Sequence, residues 1–182
     1  MPLIALLLFG ALILSNSLSA GEIHNVCMRP TAENLEKAKA LIAANPAVVN
    51  EKGAGGNTPL MWVAFRGNKD FMLLLITNKA DVNARDQYDS TALHSAALTN
   101  NKEAVQALLD AGAKVDATDS VTRTPLLYSV VSKNTTNRLE VMKLLLDKGA
   151  NPNAGVPESV TKVAKSLKDP APYELLKRHG GR

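Results

Sequence analysis

One pattern returns along this chain at a fixed interval. Thr58-Pro59-Leu60 reappears as Thr91-Ala92-Leu93 and as Thr124-Pro125-Leu126, 33 residues apart each time. A later part of the pattern returns too: Ala80-Asp81-Val82-Asn83, then Ala113-Lys114-Val115-Asp116, then Ala150-Asn151-Pro152-Asn153. Between them run Leu74-Leu75-Ile76, Ala107-Leu108-Leu109 and Leu144-Leu145-Leu146. The third unit is longer, with 37 residues from Glu103 to Glu140, and its extra residues fall within Ser132–Arg138. A period of this length means supersecondary units that bury their apolar faces only by stacking on one another.

Each unit reads as two helices. Thr58, Thr91 and Thr124 stand where a hydroxyl can accept from an unpaired first-turn N–H. Pro59 and Pro125 follow at the first helical position, where a missing N–H costs nothing. Leu60, Val63 and Ala64, like Leu93, Ala96 and Ala97, then recur at helical spacing. Gly67 ends one first helix, and Asn100, which tolerates a left-handed backbone, takes that place in the next. The second helices are expected over Lys69–Asn78, Lys102–Ala111 and Leu139–Lys148. Gly112 and Gly149 stop two of them, and Lys79 replaces the third glycine, which predicts strain at that exit.

These units resemble ankyrin repeats, the best matches being Thr91-Ala92-Leu93-His94-Ser95-Ala96-Ala97 and Asp110-Ala111-Gly112-Ala113-Lys114-Val115-Asp116. The resemblance covers about residues 25–180 and implies an all-α ankyrin-repeat solenoid of stacked helix-turn-helix units with β-turn or hairpin tips. The expected division is a degenerate first repeat over 25–52, repeats over 53–85, 86–118 and 119–154, and a capping repeat over 155–182. Ala32–Asn50 reads as the first repeat's helix and exit; Val163-Ala164 and Glu174–Gly180 read as the cap with a polar outer face. His94 fills the slot where the family implies a structural hydrogen bond between turns. Met61 and Leu127 occupy that slot elsewhere, so a partial network is expected.

Residues 1–20 have another character. Leu3–Leu14 are apolar except for Gly10, and small, mostly polar residues follow to Ala20. This is the layout of a secretory signal peptide, and the apolar stretch is too short for a bilayer, which takes about 20 residues. Cleavage is expected near Ala20, with Ser19 as the rival site, which predicts a periplasmic or secreted protein with no membrane attachment after cleavage. Retention of the segment as an envelope anchor is the alternative.

The chemistry-bearing residues are sparse. His24, His94 and His179 are scattered, and no His, Cys, Asp or Glu cluster has zinc-like spacing. Calcium-loop, phosphate-loop and Gly-x-Ser-x-Gly patterns are absent. Gly53-Ala54-Gly55-Gly56 precedes Thr58 in register and reads as a repeat turn. Asp86, Asp89, Asp116 and Asp119 lie at turn positions, where a carboxylate commonly bonds its own backbone. Cys27 stands alone, without an internal disulfide partner, and reads as a small residue in a loosely ordered lead-in. Asn134-Thr135-Thr136 matches a glycosylation acceptor but reads as a polar loop insertion. The net charge of +4 is mild and mixed with acids, without the basic stripe of a nucleic-acid binder. Neither a catalytic constellation nor a cofactor is expected.

The resemblance implies a concave surface of turn tips and first helices that grips another protein. The partner-binding residues expected from register are Phe65, Arg66, Arg85, Gln87, Tyr88, Leu98, Thr99 and Arg123, with Lys52, Asn57, Ser90, Thr118, Ser120, Val121, Val131 and Ser132 beside them. Trp62 is expected in the inter-helix core. Tyr and Arg suit partner contacts, and Lys52, Arg66, Arg85 and Arg123 predict an acidic patch on the partner. The expected function is a non-catalytic interaction module of the bacterial periplasm, acting as adaptor, inhibitor or immunity-type binding protein; an envelope-tethered scaffold is the alternative.

Overall fold

The computed structural model describes residues 21–155 and 159–182, so the signal-peptide reading of residues 1–20 lies outside the described part. The described residues form ten α-helices and no strand, arranged as five helix pairs. The pairs are α1 (Glu22–Met28) with α2 (Ala32–Ala44), α3 (Pro59–Arg66) with α4 (Lys69–Thr77), and α5 (Ala92–Leu98) with α6 (Lys102–Asp110). Then come α7 (Pro125–Val131) with α8 (Arg138–Asp147), and α9 (Val160–Lys165) with α10 (Ala171–Arg178). First helices lie against first helices and second against second, in an all-α stack of helix-turn-helix layers. One continuous core runs through it, with Leu60, Val63, Leu93, Ala96, Leu126 and Val130 from the first helices and Phe71, Leu75, Leu108 and Leu145 from the second, all almost wholly buried. Ala64, Ala96 and Ala97 keep the first helices close, and the second helices stand farther apart.

The helix starts follow the sequence logic. Thr58 and Thr124 hydroxyls accept from the N–H of Met61 and Leu127, both at 3.4 Å. Gly67 (φ 73°) ends α3, and Asn100 (φ 49°) follows the end of α5 in the same left-handed region. Lys79 adopts φ 68°, a conformation that is costly for a residue with a Cβ. Trp62 is half-buried against the core.

α1 was not legible at the 33-residue step. Gly21-Glu22-Ile23-His24 stands 37 residues before Thr58-Pro59-Leu60-Met61, and the core residues Ile23, Val26 and Cys27 match Leu60, Val63 and Ala64. The four-residue excess is taken up in α2, which has 13 residues against 9 in α4. Four residues are about one helical turn, so α2 buries Ala38 and Ile42 on one face with its exit still in register. Cys27 is therefore a fully buried helix residue, not part of a loose lead-in, and burial pushes its thiol up to about 12, which makes it inert.

The register also puts His24 into the slot of His94. The Nε2–H of His94 donates to the Arg123 carbonyl at 3.0 Å, and the Thr91 N–H donates to His94 Nδ1 at 3.1 Å. The Nε2–H of His24 donates to the Asn57 carbonyl at 3.0 Å. Both rings thus tie a first helix to the residue before the next unit's leading Thr. Gly53 lies so close to the His24 ring that a Cβ there would come within 2.9 Å of its Cδ2.

A second series of ties runs along the unit exits. Asn50 donates to the Lys79 carbonyl and accepts from the Asp81 N–H; Asn83 does the same with Gly112 and Lys114. Asn153 repeats this with Gly180 and Arg182. Asp116 takes the remaining place and accepts from the Asn151 N–H at 3.1 Å, so its carboxylate bonds the next unit instead of its own turn. A carboxylate has no N–H to offer the Gly149 carbonyl, which stands where Gly112 stands one unit earlier. Asp116→Asn supplies that donor. The expected result is a gain of about 0.5 kcal/mol, the low end for a net hydrogen bond because the site is exposed, read as a higher urea midpoint at unchanged slope.

The third unit's insertion folds back onto the second. The Ser132 hydroxyl donates to the Leu98 carbonyl, and the Asn134 amide donates to Thr99 O at 2.6 Å while accepting from the Thr136 N–H. Ser132, expected at the exposed rim, is 3% exposed because of these bonds.

Candidate partner-binding surface

Register places the tips and first helices side by side. Each tip is a tight turn closed by one bond across its base: Gly53 N–H to Asn57 O at 2.9 Å, Asp86 N–H to Ser90 O at 3.0 Å, Asp119 N–H to Arg123 O at 3.0 Å. Adjacent tips are linked by Gln87 N–H to Gly55 O at 2.9 Å and Ser120 N–H to Tyr88 O at 2.8 Å. Asp86 and Asp119 each accept two backbone N–H groups of their own turn, as turn carboxylates do. Asp89 instead sits at φ 59°, with its carboxylate 3.8 Å from Arg85.

The geometry sorts the expected contact residues into two kinds. Phe65, Leu98 and Val131 occupy equivalent positions at the ends of α3, α5 and α7 and are 41, 38 and 48% exposed. They form an apolar row across three successive first helices. Tyr88 and Val121, 61 and 54% exposed, form a parallel pair on the tips. Gln87 is exposed beside Tyr88; Thr99 is half-buried and bonds back to its own helix. Leu73 and Leu139, on second helices, are the other large apolar side chains exposed among the described residues. What marks the first-helix and tip residues as a contact surface is that five of them stand in line across successive layers.

The cations are largely engaged within the stack. Lys52 Nζ donates to the Arg85 carbonyl at 2.9 Å, and Arg85 donates to the Thr118 carbonyl at 2.8 Å, so both act as ties between tips. Arg123 Nε donates to the buried Asp119 carboxylate at 2.8 Å. Arg66 is exposed, with its guanidinium 5.9 Å from the Phe65 ring centroid. Beside it opens a polar basin of about 590 Å³ lined in part by Arg29, Lys37, Arg66 and Glu22. Lys37 is itself paired with Glu33 at 2.7 Å, so the positive charge this face leaves to a partner is that of Arg66 and Arg29, at the amino-terminal end of the apolar row.

Grooves also separate second helices on the other side of the stack. One of about 560 Å³ lies between α4 and α6, with Leu73 and Ile76 in its wall. The corresponding space between α6 and α8 is bridged by Lys102–Glu140 at 2.6 Å and Lys148–Asp110 at 3.0 Å. Among the described residues, no group of three or more His, Cys, Asp or Glu side chains is placed to hold a metal ion. No described helix is long and apolar enough to cross a membrane.

The family model described as ankyrin repeats (3 copies) matches residues 23–119 and 91–155 of the chain. The match begins within α1, the helix that the 37-residue step adds to the first unit. A search of curated proteins returned no match.

Proposed function

The chain belongs to the ankyrin-repeat family, whose members typically serve as non-catalytic protein-binding modules, and from that premise we propose a periplasmic interaction module acting as adaptor, inhibitor or immunity-type binding protein. The observation that carries this reading is the apolar row of Phe65, Leu98 and Val131 beside Tyr88 and Val121. A partner that covers it removes apolar surface from water at roughly 25 cal/mol per Å². The partner's acidic group belongs at the Arg66 end, because Lys52, Arg85 and Arg123 already have partners inside the stack.

The test is affinity capture from periplasmic extract with the native protein and with the double variant Phe65→Ser, Leu98→Ser. Both side chains are partly covered as well as exposed, so a melt of the variant accompanies the capture to show that the stack is retained. The expected result is a captured protein whose affinity falls at least about tenfold in the variant, since truncated hot-spot residues cost about 2 kcal/mol or more each. The separate variant Arg66→Glu lowers it as well. A partner held equally well by all three proteins overturns this face.

A further inference from the structure

Gly21 holds the place at the head of α1 that Thr58 and Thr91 hold in later units. In those units the backbone N–H at this place donates to the side chain three residues on: Thr58 to Met61 Sδ at 3.4 Å, Thr91 to His94 Nδ1 at 3.1 Å. In the first unit the Gly21 N–H instead donates to Glu51 Oε1 at 2.6 Å. His24 Nδ1, on a side chain only 5% exposed, is left without a partner among the described residues. Its Nε2–H is committed to Asn57, so Nδ1 can only accept. An amide nitrogen has one proton and cannot serve both acceptors. A buried acceptor without a partner costs about 1–3 kcal/mol, and a cap without it is incomplete.

We propose that the mature protein begins at Gly21, and that its α-ammonium completes the amino-terminal cap by pairing with Glu51 and donating to His24 Nδ1. Hydrolysis of the Ala20–Gly21 bond by a leader-removing peptidase breaks the C–N bond. Water supplies the oxygen that joins the Ala20 carbonyl carbon and a proton to the Gly21 nitrogen, which takes up another from solvent. The amide with one proton becomes an ammonium with three. One N–H stays directed at the Glu51 carboxylate, where the hydrogen bond becomes an ion pair, and a second is available to donate to His24 Nδ1. Cleavage after Ser19 leaves Gly21 as an amide and His24 Nδ1 without a donor. The sequence left those two sites open, and the pairing selects the first. The maturation step is thus also a stabilising step for the terminal unit, whose α1 is otherwise covered on one side only by the stack.

The test produces the full chain with its own leader in a bacterium and reads the mass and amino-terminal sequence of the purified protein. The expected start is Gly-Glu-Ile-His. The terminal amine is then titrated by NMR in glycine-labelled protein, native and Glu51→Gln. In the native protein it titrates about one unit above the ordinary range of roughly 7.7–8.0; in Glu51→Gln, whose amide oxygen still accepts a bond and preserves the fold, that rise disappears. The native melting temperature exceeds that of Glu51→Gln at pH 7, and the gap closes as pH rises through the amine's raised pKa. A retained leader, a start at any other residue, or an amine titrating in the ordinary range in both proteins overturns the proposal.

Discussion

Asp119→Ala is expected to remove about 3 kcal/mol of stability near neutral pH, the cost of breaking a hydrogen-bonded buried carboxylate. The Asp119 side chain is 1% exposed. One oxygen accepts from the Val121 and Arg123 N–H groups at 3.0 and 2.8 Å; the other accepts from Arg123 Nε and the Tyr128 hydroxyl at 2.8 and 2.9 Å. Arg123 is half-exposed, so its charge adds little; the larger loss is four donors left without their acceptor. The damage spreads, because the Arg123 carbonyl held in this turn accepts from His94, and the Tyr128 ring meets the His94 ring edge-on at 5.1 Å. Asp86→Ala is the control, since its carboxylate accepts only two backbone N–H groups, and it should cost about 1 kcal/mol. Equal losses in the two variants would show that the Arg123 and Tyr128 bonds contribute nothing.

The same carboxylate sets an acid limit. Burial pushes its pKa up, but the bonds from Arg123, Tyr128 and Val121 outweigh burial and hold it below the usual carboxylate range. A depressed folded pKa gives stability that is present above the unfolded value, about 3.9, and lost as pH falls through the folded one. The gap between native protein and Asp119→Ala in urea midpoint should therefore hold from pH 7 to about pH 4 and narrow below it. His94 acts earlier. Burial lowers its pKa, against the opposing bond to the Arg123 carbonyl. The unfolded chain then takes up a proton first, and stability declines as pH falls below about 6.5.

The Thr-led segments were legible because their chemistry is local. A capping Thr, a Pro at the first helical position and small residues facing the neighbour specify one structure at each of three places. α1 was not legible for a reason of counting. α2 carries an extra turn, so a 33-residue step from the leucines reached the helix exit correctly, while the first helix lay four residues further upstream. His24 was the available signal, since it matches Met61 and His94 once the step is 37 residues. The contact surface was legible in position but not in character. Sequence shows that Lys52, Arg85 and Arg123 are cationic; it does not show that carbonyls of adjoining tips already engage the first two and the Asp119 carboxylate of its own tip engages Arg123. The apolar residues of the same set, Phe65 and Leu98, have no such use within the stack, and with Val131 they form the row. Ser132 failed as a rim residue because a loop longer than its neighbours' can fold back over the position it was assigned.

A chain ending at Asn83 should fail to melt cooperatively, or melt at least about 20 °C below the full-length protein. It keeps α1 to α4 and the ties from Asn50 to Lys79 and Asp81. It loses the layer of Leu93 and Ala96 that covers α3, the bonds from Asn83 to Gly112 and Lys114, and the tip contacts Lys52–Arg85 and Gln87–Gly55. What remains has one covered interface and about 60 residues, near the lower bound for a self-sufficient core. In a stacked array, stability is the sum of weak single units and strong interfaces, and each kcal/mol lost from a domain this small moves the midpoint by roughly 4–8 °C. The measurement is the far-ultraviolet dichroism melt of both proteins at equal concentration. A fragment melting at the full-length temperature would mean that the layers are independent folding units. The close seating of α3 on α5, and the binding row laid across three such layers, would then lose their physical basis.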